Sequence, residues 1–112
     1  MSKRFDQFVY GEDATKEELE ELTKDTFLQD KGVGNSVLQL GIQGLPGTKF
    51  YLNGNLYPII LDASGVFYIE AKNGARISSL KFEPASIEKI SDIKNDFAYL
   101  IIDVLIDEEK ED

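Results

Sequence analysis

Neither cysteine nor histidine occurs among the 112 residues. Without cysteine there are no disulfides, thiolate zinc ligands or cysteine nucleophile. Without histidine the commonest general base and a frequent metal ligand are missing, so serine–histidine catalysis cannot be assembled within one chain. Positive charge is scarce as well. The formal net charge is −9, and the deficit sits at the two ends. Residues 1–36 carry 5 basic and 9 acidic side chains, residues 37–82 carry 4 and 2, and residues 83–112 carry 3 and 10. A chain this acidic repels phosphate backbones, and no cluster of Lys and Arg compensates, which argues against a nucleic-acid partner. Long apolar runs are also lacking. The longest, Phe97–Ile102, is far too short to span a bilayer, so no membrane partner is expected. The opening MSKRFDQF has no apolar h-region, so no secretion signal is expected either.

What remains is enough for one domain. A hydrophobic fraction of 42% supports a core in a chain of this length. The first 36 residues differ from the rest. ATKEELEELTKDTF predicts a helix from about Thr15 to Phe27, with Thr15 and Glu18 in capping-box spacing and a thin apolar stripe of Leu19 and Leu22. Before it, RFDQFVYG crowds Phe5, Phe8, Val9 and Tyr10 together. This segment reads as a short strand or loop folded onto its own domain, or else as an arm that docks on a neighbouring subunit. DKGVGN reads as a flexible joint into the main domain.

From Ser36 the hydrophobic period becomes two. SVLQLGIQ places Leu38, Leu40 and Ile42 on one face. Asn53-Gly54 and Asn73-Gly74 each carry the strongest short-range hairpin signal. The second would set Phe67 opposite Leu80 and Ile69 opposite Ser78, with Tyr68, Glu70, Ser79 and Lys81 outside. At the first, a three-residue loop would bury Phe50 and Leu52 and leave Tyr51 and Tyr57 opposite each other outside. A four-residue loop at DASG would bring Leu56, Pro58 and Ile60 into the core. EPASIEKIS reads as one short helix. The closing strand FAYLIIDVLID has Leu100, Ile102, Val104 and Ile106 on its core face, with Tyr99, Asp103 and Asp107 on the other. These elements predict a mainly β fold, an antiparallel β-sandwich or small barrel with one short helix inserted, preceded by an N-terminal helix and arm. The expected divisions are residues 1–35 for arm and helix, 36–107 for the β-sandwich and 108–112 for an acidic tail.

The glycine-rich GLPGTKFYLNGN is not a phosphate loop. The required G-x-x-x-x-G-K-[ST] is absent, and a strand rather than a helix follows Gly47. Leu45-Pro46-Gly47-Thr48 instead has Pro and Gly where a type II turn needs them. Two carboxylates could hydrolyse a glycoside without histidine, and Asp62, Glu70, Glu83, Asp103 and Asp107 are candidates. With 21 acidic residues some pair is inevitable, and nothing marks one as sitting in a cleft. No calcium-loop pattern occurs. No catalytic residue, cofactor or metal site is therefore expected.

GIQGLPGTKFYLNGNLYPIILDASGVFYIE, ISSLKFEP and AYLIIDVLID together resemble small proteins encoded in the tail-structure gene clusters of tailed bacteriophages and prophages of Gram-positive bacteria. The resemblance covers about Val37 to Asp107. It implies a non-catalytic tail or baseplate component, assembled in the host cytoplasm and placed in the virion. Its expected partners are other phage tail proteins, with self-association a further option. The residues expected to form the contact surface are Tyr51, Tyr57, Phe5, Phe8 and Tyr10. A second expectation, of a different class, is a carbohydrate-binding sandwich on which Tyr51 and Tyr57 stack against a host glycan.

Overall fold

The structure is a computed structural model that describes residues 3–11, 14–33, 36–71, 76–83 and 99–107. The first element is a strand, β1 (Lys3–Gly11), followed by the short helices α1 (Lys16–Glu21) and α2 (Phe27–Asp30). Among the described residues six further strands follow: β2 (Val37–Gly44), β3 (Lys49–Leu52), β4 (Ile59–Ile60), β5 (Val66–Glu70), β6 (Leu80–Glu83) and β7 (Tyr99–Asp107). They form a four-stranded sheet in the order β1-β7-β2-β5 and a three-stranded sheet in the order β4-β3-β6. Every pairing is antiparallel. The fold is thus a mainly β, two-sheet antiparallel sandwich, as the periodicity predicts. The short helix expected over EPASIEKIS, the Asn73-Gly74 turn and the acidic tail at 108–112 lie outside the described residues.

Of the two readings of RFDQFVYG, the strand folded onto its own domain is the one observed, and the expected N-terminal helix and arm are corrected, because β1 comes first and is a full member of the large sheet. It pairs with β7 along its whole length, from Lys3 opposite Asp107 to Gly11 opposite Tyr99. The single helix expected from Thr15 to Phe27 is two. The capping box forms as read: the Glu18 amide donates to Thr15 Oγ1 at 3.1 Å and the Thr15 amide to Glu18 Oε1 at 2.9 Å. After Glu21 the backbone tightens into i→i+3 bonds, and the Thr23 hydroxyl donates to the Glu20 carbonyl at 2.8 Å, capturing an acceptor that a longer helix would use. The break turns Phe27 and Leu28 inward beside Leu19 and Leu22, and all four are buried. DKGVGN is likewise not a loose joint where it is described. Gly32 has φ +77°, its amide donates to Gln29, and the Val33 amide donates to Leu28, a complete Schellman cap with Val33 and Leu28 buried.

One apolar core lies between the sheets and under the helices. The large sheet contributes Tyr10, Leu40, Ile42, Leu100, Ile102, Val104 and Ile106, and the small sheet contributes Phe50, Leu52, Leu80 and Phe82. A path of edge-on aromatic rings runs through it. Phe27 meets Phe8 at 5.5 Å, Tyr10 at 6.2 Å and Phe82 at 6.0 Å, and Phe50 meets Phe67 at 5.0 Å.

Three registers differ from expectation. β5 pairs with β2 and β6 with β3, so the hairpin that would set Phe67 opposite Leu80 does not form, and Ser79 is buried. The β3–β4 ladder aligns Lys49 with Ile60 and Phe50 with Ile59, one residue beyond a three-residue loop. That slip buries Leu61, half-buries Ile59 against the core, and leaves Ile60 and Leu56 exposed. In β2 an irregularity between Val37 and Gln39 gives Val37, rather than Leu38, the buried position.

The chain passes between the sheets at one corner. Leu45–Thr48 forms the predicted turn, with Gly47 at φ +94° and the Thr48 amide donating to Leu45 at 3.1 Å. Beside it, Asp62–Gly65 returns the chain to the large sheet, and the Gly44 amide donates to the Gly65 carbonyl at 2.9 Å. The Ser64 hydroxyl and backbone amides hold the Asp62 carboxyl below its ordinary range.

Candidate functional site

The residues expected at a contact surface do not form one patch. β1 alternates, and that alternation divides its aromatics. Phe5 and Val9 point away from the core and are exposed, whereas Tyr10 is buried and Phe8 packs against the core. A polar lid closes over the inward pair. Lys31 Nζ lies 5.8 Å from the Phe8 ring centre and 5.7 Å from that of Phe27, and forms a 3.0 Å ion pair with Glu21.

The same contacts shift two titrations. Burial pushes the Tyr10 phenol above its ordinary 10.0 against the pull of Lys31. At Lys31 burial opposes the charge, but Glu21 and Tyr10 outweigh it and the ammonium sits above its ordinary 10.5. With both folded-state values raised, this contribution to stability is complete below the unfolded-state values and is lost as pH rises through the folded ones. Tyr10→Phe removes the phenol's share. Melting curves between about pH 9 and 11 should therefore fall less steeply for Tyr10→Phe than for the parent. Parallel slopes would show that the Tyr10 proton is not linked to folding.

Phe5 and Val9 belong to a larger surface, the outer face of the four-stranded sheet. The register lays it out in rows: Phe5, Leu105, Gln39 and Glu70; then Gln7, Asp103, Gly41 and Tyr68; then Val9, Ile101, Gln43 and Val66. Phe5, Val9, Val66 and Tyr68 are each more than half exposed. Polar links run along two of these rows, from Gln7 Nε2 to Asp103 Oδ1 at 2.8 Å and from Gln39 Nε2 to Glu70 Oε2 at 3.1 Å. Asp103 and Glu70 are thus engaged in ordinary cross-strand contacts, and Asp62 serves its own turn.

Tyr51 and Tyr57 are not a matched pair. Tyr51 is half-buried on β3 opposite Lys81 of β6, whose Nζ lies 5.1 Å from the ring centre. Burial and the neighbouring Glu83 carboxylate raise its phenol above the ordinary range. Tyr57 lies beyond the turn and is 82% exposed. Between Tyr51 and that turn is an open cleft of about 330 Å³, lined by Asp25, Tyr51, Gly54, Asn55, Leu56 and Lys81. Sequence reading found Tyr51 but missed Asp25, Asn55 and Lys81. The alternation in SSLKF marks Lys81 as outward-facing, but only the β3–β6 pairing puts it against Tyr51.

The cleft wall is fixed by Asn53. This residue adopts φ +56°, where asparagine is tolerated better than most side chains, and Gly54 follows at +73°. Asn53 Oδ1 accepts from the Ser78 amide at 2.7 Å, the Ser78 hydroxyl at 3.1 Å and the Ser79 amide at 3.3 Å. Its Nδ2 donates to the Arg76 carbonyl at 2.9 Å. On the opposite wall the Ser79 hydroxyl donates to Asp25 Oδ1 at 3.3 Å, tying the α1–α2 turn to the same segment ahead of β6. No protein-family model, curated protein or solved structure matches this chain.

Proposed function

We propose that this chain is a non-catalytic component of the tail or baseplate of a tailed bacteriophage or prophage, acting through contacts with other tail proteins. The family is supported by the resemblance of Val37–Asp107 to tail-cluster proteins. The observation that carries the contact role is the outer face of the large sheet, where Phe5, Val9, Val66 and Tyr68 stand exposed. Exposed apolar pairs at both edges of one face, with half-buried Leu105 and Ile101 between them, support an interaction surface. Phe5 and Val9 lie on β1 at one edge, and Val66 and Tyr68 lie on β5 at the other, so a neighbour can engage the full width of the sheet.

Immunogold labelling of particles induced from the source bacterium tests this reading, with expression verified by blot. Gold at the tail or its tip is the expected result. Expressed protein with unlabelled particles would overturn it.

A further inference from the structure

We propose that the cleft between Tyr51 and the Asn53-Gly54 turn binds a pyranose sugar. The inference does not depend on the tail assignment, because it rests on the chemistry of six lining residues. Asp25 offers a carboxylate that accepts hydrogen bonds, Lys81 an ammonium that donates them, and Asn55 a carboxamide that does both. Leu56 and Tyr51 add apolar surface beside these groups. A sugar ring presents the matching set, with hydroxyls that donate and accept around its rim and C–H groups on its faces.

The volume favours a single ring. About 330 Å³ lies at the small end of ligand sites, which run from roughly 300 to 1,000 Å³. The cleft is also held in shape before any ligand arrives. Asn53 anchors the turn that carries Gly54, Asn55 and Leu56, and Ser79 anchors Asp25 on the other side. Such anchoring reduces the ordering that binding would otherwise require. Gly54 holds a left-handed backbone, φ +73°, that side chains avoid, and a Cβ there would stand in ordinary contact, 3.4 Å, with Asp25 Oδ2. A simple anion is a poorer occupant, because Asp25 would repel it. The site therefore differs from the expected tyrosine pair. Tyr57 does not line it, and polar groups carry most of the recognition.

Amide NMR spectra of the full chain, titrated separately with glucose, galactose, N-acetylglucosamine and inorganic phosphate, test the proposal. At least one sugar should give saturable shifts centred on Asp25, Gly54, Asn55 and Lys81. Asn55→Ala and Asp25→Asn should each weaken that binding about tenfold, as expected for losing one good polar contact. Both positions are exposed, and unchanged melting temperatures would confirm intact variants. Three results would overturn the assignment: no saturable shift with any sugar, shifts that persist undiminished in both variants, or shifts at these residues with phosphate alone. The particle labelling is read independently, so a failed titration leaves the tail reading standing.

Discussion

Phe27→Ala should lower the melting temperature by about 15 °C or more, the largest effect expected of any single core truncation here. Truncating a fully buried phenylalanine costs about 3–5 kcal/mol, and a domain of this size has only about 5–15 kcal/mol in all. Phe27 stands near the top of that range for a structural reason. Its ring meets Phe8 and Tyr10 from the large sheet and Phe82 from the small one, so its loss uncouples both sheets from the helical segment. At roughly 4 °C or more per kcal/mol, a 3–5 kcal/mol loss gives the stated shift. Phe27→Leu keeps most of the apolar volume and should recover most of the difference. Circular dichroism melts of the three proteins decide the point. If Phe27→Ala melted within a few degrees of the parent, the helical segment would not be part of the cooperative core.

Gly65→Ala should be nearly as damaging, although it adds only a methyl group. Gly65 has φ +71°, and an added Cβ would collide with the carbonyl oxygen of Gly44, a backbone atom at the end of β2 where the neighbouring crossover begins. Left-handed backbone alone costs an ordinary residue about 1–2 kcal/mol. The collision adds to this, because relieving it must disturb the bond from the Gly44 amide to the Gly65 carbonyl. A total of about 3 kcal/mol is expected, in the range of other enforced backbone strain. Gly32 supplies the control. It too has positive φ, at +77°, but nothing lies within 4 Å of its would-be Cβ, so Gly32→Ala should cost only the conformational part. Urea unfolding of the two variants separates the terms. Equal losses would mean that the corner relaxes and that the contact between the two crossovers is unimportant.

Much of the fold was legible because it depends on local pattern. The inward set Leu100, Ile102, Val104 and Ile106 follows from strict alternation, the Thr15–Glu18 box from spacing, and the Leu45–Thr48 turn from Pro and Gly at their required places. The errors arise where a local signal leaves a distant choice open. Asn53-Gly54 does form a tight turn with both residues at positive φ, yet β3 and β4 pair only farther out, at Phe50 and Ile59. An Asn-Gly turn reverses a chain without fixing where the ladder begins. β6 turned away from β5 because Phe82 and Leu80 complete the core against Phe50 and Leu52, a preference set by the opposing sheet rather than by neighbours in sequence. The candidate cleft was least legible of all. Tyr51 is flagged by its type, but Asp25 reaches it from a segment more than twenty residues upstream through the break after α1, and that break was read as continuous helix.

The pairing of β1 with β7 also determines how this molecule can come into being. The hydrogen bond between Gln7 and Asp103 joins residues 96 apart in sequence, and β7 lies between β1 and β2 in its sheet. β1 therefore waits for β7, the last of the described strands, before its backbone has a sheet partner. Strand pairings this distant make slow folding the rule, because a large loop must close before contacts repay its lost freedom. Through that interval β1 is an unpaired strand carrying Phe5, Phe8, Val9 and Tyr10. β1 is thus the segment most open to pairing with another chain until β7 docks beside it.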